Sequence, residues 1–264
     1  MRKTERHVPH PEMAETRCAS FDAPPAAQRN ARREKDSDHM NNLIILTIRT
    51  FLIGAIVLGV LLFLPAWTLT YWQAWVFIVV FMGSANAIGV YLTLKDPELL
   101  ERRKKGGPAA EQNMAQKIII SIALIGWVIL LVLCGLDHRF TWSAVSLPVS
   151  LVGNVLIMLG FLIDFFVFKE NSYGASTIET FEDQKVISTG LYALVRHPMY
   201  MGVLFMMIGV PLALGSWWGL TVLVLILPVL IWRILDEEKL LKKDLPGYRE
   251  YAQKVRYRLV PYLW

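Results

Sequence analysis

The most constraining feature of the chain is a nearly unbroken apolar stretch from Met199 to Leu235, closed by Arg196-His197-Pro198 on one side and Asp236-Glu237-Glu238 on the other. As a single helix its 37 residues would run roughly 55 Å, about twice the hydrocarbon thickness of a bilayer. It must fold back, and Gly209, Pro211, Gly215 and Ser216 stand where the turn is needed. The two arms, of about 15 residues each, scarcely reach across a bilayer, so the hairpin is either short or re-entrant. Folding back brings Arg196, His197, Glu237 and Glu238 to one membrane face.

Four further apolar runs precede it: Leu43 to Leu64, Ala74 to Leu94, Ile118 to Gly135 and Leu147 to Phe168. With 55% hydrophobic residues over 264 and a mean hydropathy of +0.42, the chain is too apolar for a soluble domain of its size. The expected fold is an all-α polytopic membrane protein of four transmembrane helices and a C-terminal helical hairpin. Cys18 and Cys134 lie far apart in unlike surroundings, which argues against a disulfide framework or a thiolate metal site. The modest net charge of +5 gathers beside apolar runs, a pattern of membrane proteins more than of nucleic-acid binders.

Lys and Arg alternate by loop: eight in the N-terminal tail, none between the first two runs, six in the 95–117 loop and one after the third run. By the positive-inside rule the N-terminus, the 95–117 and 169–198 loops and the C-terminus are expected to be cytoplasmic in an integral, multi-pass protein. Three regions are expected: a disordered polar tail over 1–42, a four-helix region over 43–168 and a catalytic region over 169–264. Alternation around Thr177 to Ile187, with a turn at Glu182-Asp183-Gln184, suggests a small β-hairpin or lid. Beyond the apolar hairpin, Asp236 to Lys254 reads as a helical extension interrupted at Pro246-Gly247. Within the runs, Asp164 is expected to reach the surface, and Asn86 and Asn154 to tie helices together.

The chain lacks a Ser-His-Asp elbow, a phosphate loop, a dinucleotide fingerprint and an HExxH motif. Of its histidines only His197 stands in a candidate site, so a metal set is not expected. Pro198 suits the first turn of a helix, and the Arg196-His197 pair before it lies at that helix's positive end. Arg233 and Glu237 share a helix face at i and i+4 and read as a surface ion pair, with Glu238 about 100 degrees away.

The string GLYALVRHPMYMG, the Glu237-Glu238 pair and the closing EEKLLKKDLPGYREYAQKVRYRLVP resemble the isoprenylcysteine carboxyl methyltransferase family and its phospholipid N-methyltransferase relatives, over roughly residues 165 to 262. DLPGY departs from the family's usual Phe-Gly before the tyrosine. The resemblance implies S-adenosylmethionine as cofactor, reached from the cytosol, and a lipophilic small-molecule or prenylated acceptor entering from the lipid bilayer. It implies catalytic roles for Arg196, His197 and Glu237. It further implies cofactor binding by Gln184, Leu191, Tyr192, His197, Pro198, Tyr200, Gly202, Glu237, Glu238 and Tyr248. A carboxylate acceptor is already ionised at neutral pH and needs no base, whereas an amine must first lose a proton. With no obvious buried base beside the motif, carboxyl O-methylation is expected over N-methylation. The rival is an NADPH-dependent sterol or steroid-type membrane reductase, which shares the tyrosine-rich YRLVPY tail.

Overall fold

A computed structural model describes residues 25–111, 113–174, 176–178 and 184–264. The helices are α1 (Pro25–Ala66), α2 (Trp72–Lys95), α3 (Pro97–Lys104), α4 (Met114–Phe140), α5 (Leu147–Glu170), α6 (Pro198–Ala213), α7 (Gly219–Asp244) and α8 (Tyr248–Lys254), with one 3₁₀ turn at Gly190–Ala193. Among the described residues there is no strand, and five helices are long and apolar enough to cross a membrane: Ile45–Ala66, Trp72–Lys95, Met114–Phe140, Leu147–Glu170 and Gly219–Asp244. Their outward faces expose Ile56, Val79, Ile125, Val155 and Leu225. Apolar surface that extensive has no place in water, and the chain is an integral membrane protein.

The expected four helices and hairpin are present as α1, α2, α4, α5 and the α6–α7 pair. Two departures are seen, the second with a local cause. α1 begins at Pro25, inside the stretch expected to lack regular structure. The 95–117 loop contains α3, started by Asp96, whose side chain accepts from the Leu99 N–H at 3.0 Å, with Pro97 at the first position and Arg102, Arg103 and Lys104 in the last turn. The middle of the expected 177–187 β-hairpin or lid, residues 179–183 with the turn residues Glu182 and Asp183, lies outside the described residues; Thr177, Ile178 and 184–187 are irregular.

The hairpin turns where the sequence requires. The Ser216 and Gly215 N–H groups donate to the Pro211 and Leu212 carbonyls at 2.9 and 3.0 Å. Gly215 has φ 72°, so α6 ends in a paired C-terminal cap that favours glycine. The Ser216 hydroxyl then accepts from the Gly219 N–H at 3.0 Å and starts α7. Asp137, buried in the last turn of α4, clamps this end: it accepts from the Ser143 N–H at 2.7 Å, from the Ser143 hydroxyl at 2.6 Å and from the Ser216 hydroxyl.

At 16 residues α6 is about 24 Å long, less than a bilayer core. It packs against α2, α4, α5 and α7 and so occupies the interior of the bundle. Its closest approach is antiparallel to α5, where a Cβ on Gly153 would meet the Ala213 backbone and one on Gly160 would meet the Gly202 carbonyl. Asp164 does not reach the surface: it is buried against Gly202. Asn86 does link helices, accepting from the Thr50 hydroxyl at 3.3 Å. Asn154 instead donates to Ser150 O of its own helix at 2.9 Å.

The three connections at the Asp137 end, 67–71, 141–146 and 214–218, contain no Lys or Arg and expose Trp67, Trp142, Trp217 and Trp218. The opposite end collects α3, the described residues of the 171–197 connection, the last turns of α7, α8 and the chain's final residues. The candidate site lies there.

Candidate active site

Two adjacent backbone bonds dock the Arg-His-Pro segment onto the final residues: the Arg196 N–H donates to Tyr257 O and the His197 N–H to Arg258 O, both at 2.9 Å. His197 then caps α6, with Pro198 at its first position, where the missing N–H is not needed. Arg196, His197, Pro198 and Tyr200 are thereby presented to the inner face of α7 and α8.

Glu237 and Glu238 have different surroundings. Glu238 is 1% exposed. Arg196 Nε, Arg258 Nε and His197 Nε2 approach its Oε1 at 3.1, 3.2 and 3.5 Å. Neither arginine Nε makes a well-aligned hydrogen bond to that oxygen, so their contribution to the cluster is mainly one of charge. Lys242 Nζ donates to Oε2 at 3.1 Å. Glu238 is thus a buried anion surrounded by cations.

Glu237 is partly open. Its Oε2 accepts from the Tyr200 hydroxyl at 2.6 Å, while Oε1 stands 4.0 Å from His197 Nδ1. The expected Arg233–Glu237 surface pair is not the contact made. Arg233 is 8% exposed, and its Nε donates to the Tyr200 hydroxyl at 3.0 Å. Nη1 donates to Glu111 Oε1 and Gln116 Oε1 at 3.1 and 2.8 Å, and Nη2 to Ser176 O at 3.0 Å. The helix places Glu237 one turn away, but better-aligned partners from three other segments take the guanidinium.

A cleft open to solvent, about 890 Å³ with its open mouth included, lies over these groups. Gln184, Tyr192, Arg196, His197, Pro198, Tyr200, Glu237 and Tyr248 all line it, as do Tyr173 and Tyr251. Leu191 does not: it packs against the buried group of Leu92, Leu99, Val167 and Phe168. Gly202 faces α5, where a Cβ would run into Asp164 and the Gly160 carbonyl, so its smallness serves helix contact. Glu238 lies behind the cleft wall.

The tyrosines are hydrogen-bond donors across the neutral range. Burial is the largest cause in each case: it pushes Tyr192 up to about 12, against an opposing hydrogen bond from Asn171, and raises Tyr251 and Tyr248 as well. The Tyr251 hydroxyl donates to Tyr192 O at 2.7 Å, tying α8 to the 3₁₀ turn. The Tyr248 hydroxyl is buried and lacks a partner among the described residues. A buried, unpartnered hydroxyl in a cleft wall is a place for a ligand to accept a hydrogen bond.

The sequence reading passed over Arg258 and Lys242, although Lys242 stands at i+4 from Glu238, a spacing that signals a helical ion pair. Glu111 and Gln116 had no local signal, lying 122 and 117 residues from Arg233.

Comparison with known proteins agrees with this region. Residues 149–246 match the phospholipid methyltransferase family. The matched stretch runs from α5 to the end of α7 and contains both arms of the hairpin, the Arg-His-Pro segment and the Glu237-Glu238 pair. The chain is also similar to the Delta(14)-sterol reductase TM7SF2 of Mus musculus, 33% identical over 98 residues, which cover 34% of this chain and 22% of that protein.

Proposed function

We propose that this chain is an S-adenosylmethionine-dependent membrane methyltransferase that carboxyl-methylates an isoprenylcysteine-like or other lipophilic acceptor drawn from the bilayer. The observation that carries this reading is the convergence of the family-matched segment on one cleft, with the Glu237 carboxylate open to it and the Tyr248 hydroxyl unpartnered in its wall. The residues fit the cofactor. Glu237 would hold its ammonium group, Tyr248 and Gln184 its polar rim, and the faces of Tyr192, Tyr200 and His197 its cationic and aromatic parts.

When bound, the cofactor supplies an electrophilic methyl group on a sulfonium. The chain's own residues orient the partners and exclude water, and a carboxylate acceptor requires no proton transfer. Tyr200, fixed between Glu237 and Arg233, sets the position of Glu237 against the α6 N-terminus. With its surplus of Lys and Arg, the cleft end is assigned to the cytoplasmic side.

The similarity to a sterol reductase favours a second reading, an NADPH-dependent reductase. Charge argues for the first. Of the described cations that line the cleft, Arg196 faces the buried Glu238, which leaves the exposed Lys185 and at most one further cation, Arg233, for the several negative charges of a dinucleotide phosphate. A zwitterionic amino-acid moiety suits one open carboxylate better.

Calorimetric titration of detergent-purified protein with S-adenosylmethionine, S-adenosylhomocysteine and NADPH tests the proposal. Binding of the first two is expected, weakened at least about tenfold by His197→Ala or Glu237→Ala, as for loss of one charged contact. Binding of NADPH alone transfers the chain to the reductase reading, and unchanged affinity in both variants overturns the site.

A further inference from the structure

A second cavity, about 690 Å³ with its open mouth included, lies between α4, α6 and α7 and is lined by Ile119, Trp127, Met207, Ile226, Leu230 and other apolar side chains. Among the described residues one side chain lines both this cavity and the polar cleft: Arg233. Any acceptor with its hydrocarbon part in the cavity and its reacting group in the cleft must pass that guanidinium. Arg233 is also one hydroxyl away from the cofactor side, because Tyr200 accepts from Arg233 Nε and donates to Glu237.

The group that faces Arg233 at this junction is a carboxylate. Glu111 lies in the connection between α3 and α4 rather than in a helix, yet it is 4% exposed. Its Oε1 lies 3.1 Å from Arg233 Nη1, and its Oε2 accepts from the Ile178 N–H at a long 3.3 Å. A buried carboxylate requires a charged partner, and a planar guanidinium suits one well. Gln116, Tyr200 and Ser176 O hold the guanidinium in place without Glu111.

We propose that Arg233 is the seat for the anionic head of a single-chain lipophilic acceptor, and that the chain's own Glu111 occupies that seat in this conformation. Glu111 acts as an internal stand-in for the acceptor. When the acceptor enters along the apolar cavity, its carboxylate replaces that of Glu111, whose side chain leaves the guanidinium and the Ile178 N–H. The junction is charge-balanced both with and without the acceptor. This assignment deepens the methyltransferase reading and rests on it for the identity of the second ligand.

The test is equilibrium binding of palmitate, methyl palmitate and the amine of the same chain length to the full chain in detergent, with S-adenosylhomocysteine titrated in parallel. Palmitate is expected to bind at least about tenfold tighter than the ester or the amine. Glu111→Gln removes the competitor and should tighten palmitate alone by about three- to tenfold. Arg233→Lys should lose most of the preference, since an ammonium does not reproduce the guanidinium fork. Tightest binding by the amine, equal binding of all three probes, or weaker palmitate binding in Glu111→Gln overturns the seat. If Glu111→Gln does not fold, the wild-type preference and its loss in Arg233→Lys decide. Loss of S-adenosylhomocysteine binding with the palmitate preference intact overturns the cofactor assignment and leaves the anion seat standing.

Discussion

The Tyr200 hydroxyl, on the first turn of α6, donates to Glu237 Oε2 on α7 at 2.6 Å while accepting from Arg233 Nε at 3.0 Å. One phenol thus joins both arms of the hairpin and orients the carboxylate that is open to the cleft. Tyr200→Phe keeps the ring and removes the oxygen. The expected result is a roughly five- to tenfold weaker affinity for S-adenosylhomocysteine, matching one hydrogen bond to a charged group. Stability should fall by about 1–2 kcal/mol, because Arg233 Nε loses its partner in a buried place. An unchanged affinity by calorimetry would mean that Glu237 is positioned by something else.

Glu238 should behave differently from Glu237, since its surroundings are closed. Glu238→Gln leaves Arg196, Arg258 and Lys242 facing one another without an anion. Breaking a buried ion cluster from one side costs about 3–5 kcal/mol, so a large drop in melting temperature is expected. The local consequence is specific: the Arg196 and His197 amides, which donate to Tyr257 O and Arg258 O, should exchange hydrogen faster by mass spectrometry. Protection equal to wild type at those amides contradicts a keystone role.

The α5–α6 contact depends on absent side chains. A Cβ at Gly202 would meet the Asp164 carboxylate and the Gly160 carbonyl, whereas one at Gly83 or Gly89 of α2 meets nothing within 4 Å. Gly202→Ala should therefore destabilise by about 1–3 kcal/mol through overpacking. Gly83→Ala and Gly89→Ala should be neutral or stabilising by up to about 1 kcal/mol from helix propensity. Thermal unfolding in detergent distinguishes the two sites, and equal effects would rule out close packing as the role of Gly202.

Burial of Tyr192, raised to about 12, with Tyr248 and Tyr251 raised in the same direction, fixes the sign of the alkaline limb. In the unfolded chain these phenols ionise near pH 10, while the folded protein keeps them protonated. Their contribution is complete below about pH 10 and is lost as pH rises towards the folded values, at up to roughly 1.4 kcal/mol per unit for each tyrosine. Melting temperature should be level from about pH 7 to 9 and fall above about 10, less steeply in Tyr192→Phe. A variant curve parallel to wild type would contradict the assignment to Tyr192.

Much of the architecture was legible along the chain because its cause is local. Apolar runs of bilayer length specify helices, the basic loops alternate with basic-free ones, and Gly215-Ser216 supplies the backbone freedom and the cap for the fold-back. Gln184, Tyr192, Arg196, His197, Pro198, Tyr200, Glu237 and Tyr248 were picked out by motif, and the fold brings them to one cleft. What the chain order could not decide was which of several possible partners each group meets. Helix spacing offered Glu237 to Arg233, but Glu111, Gln116, Tyr200 and Ser176 satisfy the guanidinium from segments distant in sequence. Glu237 and Glu238 are neighbours of the same chemistry, and only the arrival of Arg196 and Arg258 from two other segments closes one and leaves the other open. Gly202 sits within the motif, yet its direction, set by where α5 lies, turns it from the cleft to a helix contact. Periodicity determines which elements form, while burial and partner choice are settled when distant segments compete for the same buried charge.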